Sequence, residues 1–113
     1  MAQHNITGQH GEAIAQQYLT NKGYVIVQCN WRYRKFEVDI IATHNNTLIF
    51  VEVKTRSSST INAGSVITNA KQQQLINALH EYCVLHNITT NAQIDVLLIN
   101  GNNQIEHLQD VVR

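Results

Sequence analysis

Apolar positions in this chain recur with two different periods, and the change from one to the other divides it into elements. From Gly8 to Lys22, Ala13, Ile14, Ala15, Tyr18 and Leu19 recur at helical spacing, and Gly23 follows as a stop signal. Tyr24 to Tyr33 is rich in Val, Ile and aromatic residues and predicts a strand. Phe36 to Thr43 and Thr47 to Thr55 predict two more, joined by Asn45-Asn46, a residue type that tolerates the positive φ of tight hairpins. Arg56 to Gly64 carries a Ser/Thr run without apolar periodicity and predicts a loop. Thr68 to Asn87 places Leu75, Ala78, Leu79, Tyr82 and Leu85 on one side of a long helix. Ala92 to Asn100 predicts a strand, Gly101-Asn102-Asn103 a turn, and Gln104 to Val111 a weak final strand. The order α-β-β-β-α-β-β predicts an α/β fold, a central mixed sheet flanked by two helices.

Length and composition narrow the class. With 113 residues, the chain fits a single domain over 1–113 and can bury a core without staples. No proline occurs, and 43% of residues are hydrophobic, so disorder is not expected. Cys29 and Cys83 form no CxxC pair, which argues against a zinc ribbon or a thioredoxin-like site. The first nine residues contain no apolar run of the kind a signal peptide needs, and no segment reaches membrane-spanning length. A cytoplasmic protein is the expectation. The net charge of zero speaks against a purely electrostatic nucleic-acid packager, but not against an enzyme that holds DNA locally.

The acidic residues carry the chemistry. The chain has eight, and Glu37, Asp39 and Glu52 fall inside its most apolar strands. Alternation puts Glu37 and Asp39 on one face of F-E-V-D-I-I-A, and Glu52 and Lys54 on one face of L-I-F-V-E-V-K. A two-residue turn at Asn45-Asn46 would set residue 44 against 47, Asp39 opposite Glu52, and Glu37 opposite Lys54. Two carboxylates across a ladder repel, and burial beside Phe50 and Ile41 raises that cost. A divalent cation removes the conflict. Magnesium, which binds through one or two carboxylates plus waters and a substrate phosphate, is the natural choice, with manganese as a substitute. Lys54 would then position an attacking water or steady charge on a phosphate. Glu12 shares the buried stripe of the first helix with Ala15 and Leu19, which suggests a role at the same site. A local charge at a helix N-terminus is its other reading. The plain alternative for the hairpin is a Glu37–Lys54 salt bridge with Asp39 and Glu52 at a wet edge.

Five of the eight basic residues, Arg32, Arg34, Lys35, Lys54 and Arg56, lie between 32 and 56, interleaved with Trp31 and Tyr33. Arg34, Lys35 and Arg56 are candidate phosphate contacts, and Trp31 is read as a core residue. Lys71 starts the apolar stripe of the second long helix, where it can reach the site or a backbone phosphate, or snorkel its stem over apolar surface. Asp95 reads as orienting a neighbour or capping a loop. The histidines form no ligand pattern, and most read as surface residues. No GxSxG, P-loop or GxGxxG motif is present, and no small-molecule cofactor is expected.

The stretches E-V-D-I-I-A (37–42) and F-V-E-V-K-T-R (50–56), with G-Q-H-G-E (8–12) and C-N-W-R (29–32), resemble the YraN-like family of bacterial endonuclease-related proteins. That resemblance implies the PD-(D/E)XK nuclease superfamily, near archaeal Holliday junction resolvases and restriction enzymes, with a restriction-endonuclease-like core and a magnesium-dependent phosphodiesterase site. It implies that Asp39, Glu52 and Lys54 are the D…ExK core and that Glu12 is the acidic residue of the first helix. Glu37 matches the glutamate of the family's G-E-I-D stretch, Lys71 its lysine at the start of the second helix, and Asp95 its late-strand aspartate. The sequence departs from the pattern at Phe36, where the family has glycine, at Val38, where the superfamily motif names proline, and in its ending after His107. A DNA endonuclease acting on branched or damaged DNA is the leading expectation. A non-catalytic nucleic-acid-binding module and a scaffold in a DNA-processing complex are the alternatives. The oligomeric state stays open, with a homodimer among the options.

Overall fold

A computed structural model describes residues 2–55 and 67–112 of the chain. The expected loop at 56–64, and Arg56 with it, lies outside the described residues. The order is α1 (Ala2–Asn21), β1 (Val25–Tyr33), β2 (Phe36–His44), β3 (Thr47–Thr55), α2 (Asn69–Leu85), β4 (Asn91–Ile99) and β5 (Ile105–Leu108). This is the expected α-β-β-β-α-β-β arrangement. The five strands lie in chain order in one sheet. β3 and β4 are parallel, joined by α2 as the crossover, and the other neighbours are antiparallel.

Local chemistry explains the boundaries. Gly23, at φ 91°, ends α1, and the next N–H, that of Tyr24, donates to the Leu19 carbonyl at 2.9 Å. This left-handed stop satisfies carbonyls the helix would leave bare. At the other end α1 runs back through Gly8 to Ala2, well before the expected start at Gly8. One glycine costs a helix only about 1 kcal/mol, so Gly8 does not set the boundary. Thr68 caps α2 by accepting a hydrogen bond from the Lys71 N–H at 3.1 Å. Asn45 and Asn46 both have positive φ, 50° and 61°, which gives the two-residue turn anticipated for the hairpin.

The sheet is buried on both faces, which is why its central strands read as nearly continuous apolar runs. One face packs Phe50, Ile94, Val96 and Leu98 against Leu75, Ala78 and Tyr82 of α2. The other packs Ile40, Ala42, Ile49, Val51 and Leu97 with Ala15 and Leu19 of α1. Each fully buried aliphatic or aromatic side chain contributes about 1.5–3 kcal/mol. Trp31 is a core residue, as expected, and meets Tyr82 edge to face at 5.4 Å.

Candidate functional site

The β2–β3 hairpin has the expected register, from His44↔Thr47 to Ile40↔Val51, and there the ladder ends. The next residues along, Asp39 and Glu52, are not a ladder pair. The Val53 N–H instead donates to Asp39 Oδ2 at 2.8 Å, so a side chain takes the place of a backbone acceptor. The β1–β2 ladder is interrupted at the same residue: Cys29↔Ile40 and Trp31↔Val38 are paired, while Asn30 and Asp39 between them are not. Asn30 is left-handed, at φ 54°. Both strands turn over at this point. Cys29 and Ile40 pack on the α1 side, and Trp31 and Val38 on the α2 side, although residues two apart in a regular strand share a face. The sheet therefore opens around Asp39 on both sides.

Three carboxylates gather around this opening. Glu52 is 5% exposed on the α2 face, and its Oε2 lies 3.4 Å from Lys54 Nζ and 3.7 Å from Lys71 Nζ. Burial raises its pKa and neighbouring Asp39 raises it further, while Lys71 and Lys54 pull it down. Glu12 stands on α1, and its pKa is raised first by burial and then by Asp39, with the Asn30 side chain acting in the opposite sense. Both glutamates thus sense Asp39, one from each side of the sheet. Gly11 allows α1 this close: a Cβ there would lie 2.7 Å from Thr55 Cγ2 at the end of β3.

The remaining expected residues separate from this group. Glu37 does not face Lys54. It pairs across β1–β2 with Arg32, Oε1 to Nε 3.4 Å, with side chains 62% and 75% exposed respectively. The expectation failed because the strand turns over at Asp39, so alternation cannot carry Glu37 to the same face. Arg34 and Lys35 form the exposed β1–β2 turn, with the Arg34 guanidinium over the Tyr33 ring at 5.2 Å. Asp95 is fully buried away from the opening and holds His107 Nε2 at 2.7 Å and the Asp110 N–H at 2.9 Å. It orients a neighbour and ties down a loop, as read from the sequence. His107 is nearly buried, an exception to the expectation that most histidines lie at the surface. A cavity of about 580 Å³ lies at the other end of the sheet, around Gly23, His44, Asn46 and Ile88. No carboxylate lines it, whereas three lie around Asp39.

Among the described residues, no three His, Cys, Asp or Glu side chains form a ready-made metal cage. The donor set fits a cation that takes only part of its shell from protein. Asp39 Oδ2 is held by Val53 and Glu52 is held by two lysines, while Glu12 Oε1 is buried without a hydrogen-bond partner. Magnesium, with two carboxylates, waters and a phosphate, suits that arrangement, and an all-protein calcium cage does not. Asn30 and Gly11 were missed in the sequence. The signal for Asn30 was present, because Asn is depleted inside apolar strands.

A five-stranded mixed sheet with two helices, opened beside an Asp and a Glu-x-Lys strand, makes this an α/β protein whose arrangement is consistent with the restriction-endonuclease-like core that the sequence motifs implied. The chain belongs to an uncharacterised protein family, UPF0102, whose sequence model matches residues 11–99. This is the YraN family that the sequence motifs resembled. A UPF0102 protein of Christiangramia forsetii is 42% identical over 97% of this chain and 96% of its own length. Another, of Flavobacterium psychrophilum, is 39% identical over the same shares. A third, of Alkaliphilus oremlandii, is 41% identical over 91% of this chain and 94% of its own. No helix among the described residues is long and apolar enough to cross a membrane.

Proposed function

We propose that this chain is a magnesium-dependent DNA endonuclease that hydrolyses phosphodiester bonds, with branched or damaged DNA as its substrate class. The observation that carries the reading is the opening at Asp39. The β2–β3 ladder ends there and the β1–β2 ladder is interrupted, and Asp39 stands beside buried Glu52, whose carboxylate pairs with Lys54. Regular sheet would be more stable without such a break, and departures from local consistency concentrate at working sites.

Asp39 and Glu52 would hold the cation. When bound, magnesium would supply Lewis-acid polarisation of the phosphate and a more acidic water. The protein's own part is positional. The Val53 N–H fixes one oxygen of Asp39, which leaves the other for binding. Lys54 Nζ, next to Glu52, orients the attacking water and balances negative charge that builds on the phosphate oxygens. Water adds to phosphorus and one bridging P–O bond breaks, giving a phosphomonoester end and a hydroxyl end. Glu12 completes the surroundings of Asp39. Arg34, Lys35, Arg56 and Lys71 are the proposed phosphate contacts, a local basic group in a chain of zero net charge. Lys71 reaches the site directly through its ion pair with Glu52.

A second reading rests on the same ion pairs. Two lysines already neutralise Glu52, as they would in a non-catalytic nucleic-acid-binding module or a scaffold that kept the fold. Calorimetry with magnesium and manganese on the wild type and on Asp39→Ala/Glu52→Ala separates the readings. Binding that is lost in the variant, followed by cleavage of junction, flap or single-stranded DNA, supports the nuclease. A folded wild type that binds neither cation, with or without DNA, favours the second reading.

A further inference from the structure

Two cavities adjoin at the turn end of the sheet, and the proposed reaction uses neither. The larger, about 580 Å³, lies in the range of roughly 300–1,000 Å³ usual for small-molecule sites. Side-chain amides and hydroxyls dominate its polar wall, among them Asn45, Asn46, Asn87, Thr89 and Thr90, and Leu48 and Ile88 add apolar surface. The smaller, about 280 Å³, has Lys22, Tyr24, Gln93, His107 and Gln109 in its wall and no carboxylate. His44, Asn45 and Thr47 line both, so the two share a wall at the β2–β3 turn.

The smaller cavity holds the donors of an anion site. Lys22 takes part in no ion pair among the described residues, and its Nζ lies 5.4 Å from the centroid of the Tyr18 ring. Tyr24 is 6% exposed, and its hydroxyl makes no hydrogen bond among the described residues. A buried tyrosine hydroxyl usually has a partner, so a bare one in a cavity wall points to a ligand. Asp95 does not oppose an anion there. It stays out of the cavity wall, and Gln93, His107 and the Asp110 N–H answer its charge. The end of α1 is answered as well: the Gly23 N–H donates to the Thr20 carbonyl at 3.0 Å and the Tyr24 N–H to that of Leu19 at 2.9 Å.

His44 links the two cavities. Its ring lies parallel to that of Tyr24, with centroids 4.1 Å apart and 5° between the planes, and its nitrogens make no hydrogen bond among the described residues. Tyr24 covers one face of the imidazole. A nucleobase laid on the other would enter the larger cavity, where amides and hydroxyls can meet its edges. Stacking of this kind tolerates any base, because every base has a π face.

We propose that the joined cavities bind a mononucleotide unit, with its phosphate at Lys22 and the Tyr24 hydroxyl and its base against His44. The unit is a free nucleotide or the end of a single strand. His44 lies five residues beyond Asp39 on β2. At about 3.4 Å per residue the two stand roughly 17 Å apart, so this is a second site, and it does not depend on the metal-dependent reading.

The test titrates the full chain, with a chelator present to remove divalent cations, and follows backbone amide shifts by NMR. The probes are deoxyadenosine monophosphate, deoxyadenosine and a trideoxyadenylate carrying a 5′-phosphate. The mononucleotide is expected to give saturable shifts over residues 43–48 and 87–90 and none at Glu52 or Lys54. Lys22→Gln should weaken it about 10–100-fold, the usual loss for a hydrogen bond to a charged group, and remove the preference for nucleotide over nucleoside. His44→Ala should weaken nucleotide and nucleoside alike, by about 5–150-fold. Tyr24→Phe keeps the ring stack, removes only the hydroxyl and should weaken the nucleotide alone; it tests the phosphate half if the other variants do not fold. A trinucleotide that binds at least tenfold more tightly than the mononucleotide supports the site and assigns it to a strand end, and equal affinity supports it as a site for free nucleotide. No saturable shift at residues 43–48 with any probe, or wild-type affinity in folded Lys22→Gln and His44→Ala, would overturn the proposal. Shifts that vanish in Asp39→Ala would place the binding at the carboxylate opening and overturn it too. Loss of metal binding in that variant with nucleotide binding intact would uphold it.

Discussion

Two acidic sites in this small protein are treated in opposite ways. Asp95, on β4, is fully buried and fully answered: Gln93 Nε2 donates at 2.9 Å, the Asp110 N–H at 2.9 Å, and His107 Nε2 lies at 2.7 Å. His107 in turn meets the Tyr18 hydroxyl through Nδ1 at 3.2 Å. Around Asp39 the same chain crowds three carboxylates, breaks two ladders and leaves Glu12 Oε1 unpartnered. A satisfied buried charge serves the fold, whereas one left short of partners marks a place where something else is to bind. Burial alone would have ranked Asp95 first. The completeness of the partners reverses that order.

Substituting one member of each group should therefore give opposite phenotypes. Asp39→Ala is expected to abolish metal-dependent cleavage with little change in thermal stability. Losing several kcal/mol of transition-state stabilisation corresponds to roughly 1,000-fold or more in rate. Turnover and melting temperature on the same preparation check it, and wild-type-like cleavage would sink the site assignment. Asp95→Ala should do the reverse. Breaking a buried, hydrogen-bonded pair costs about 3–5 kcal/mol. Urea unfolding is expected to show that loss while manganese affinity at the opening around Asp39 stays as in the wild type. An Asp95→Ala protein that is stable but blind to metal would dissolve the contrast.

The contrast was half visible in the sequence. Asn45-Asn46 set the hairpin register, and three acidic residues in apolar strands pointed to Asp39 and Glu52 by their pattern alone. The fold order followed from the change of period, and the core role of Trp31 from its apolar surroundings. What escaped depends on geometry that period-two reasoning takes for granted. The turnover at Asn30 and Asp39 exchanges faces, so Glu37 goes to Arg32 instead of Lys54. His107 looked like any surface histidine, because its partners Asp95 and Tyr18 stand 12 and 89 residues away. The close approach at Gly11 is equally a tertiary fact, with only the missing side chain visible in advance.

The uneven treatment of the carboxylates also has a pH signature. Glu12 has a folded-state pKa above its ordinary value of 4.5, first through burial and then through Asp39. The folded chain then holds the Glu12 proton more tightly than the unfolded chain. Its favourable contribution is complete below about 4.5 and is lost as pH rises through the raised value. Glu12→Gln, always neutral, should be more stable than the wild type at neutral pH without metal, and the gap should close on acidification. Denaturant unfolding at pH 4 and pH 7.5 checks the sign. Saturating manganese should narrow the gap at pH 7.5, because a cation relieves the repulsion in the wild type. A variant less stable than the wild type at neutral pH would mean that favourable interactions of the charged Glu12 outweigh burial and repulsion together.

The smallest expected effect belongs to Lys71, and it asks whether the opening is linked to the substrate. Lys71 sits in the first turn of α2, where the helix dipole disfavours a cation, and its Nζ lies against Glu52. A metal ion at Glu52 competes with that ion pair. The lysine is then free to meet a phosphate, so its contribution to DNA binding should depend on metal. Lys71→Met is expected to lower the salt dependence of DNA affinity by about one phosphate contact when calcium is present to block cleavage. Without a divalent cation the variant and wild type should differ little, because Lys71 remains engaged with Glu52. Fluorescence titrations of a labelled duplex over a salt series, with and without calcium, give both slopes. Equal losses in the two conditions would make Lys71 an ordinary backbone contact, uncoupled from Glu52. No loss in either would leave it a structural partner of Glu52, and the opening would then resemble Asp95 more closely than its bare Glu12 oxygen suggests.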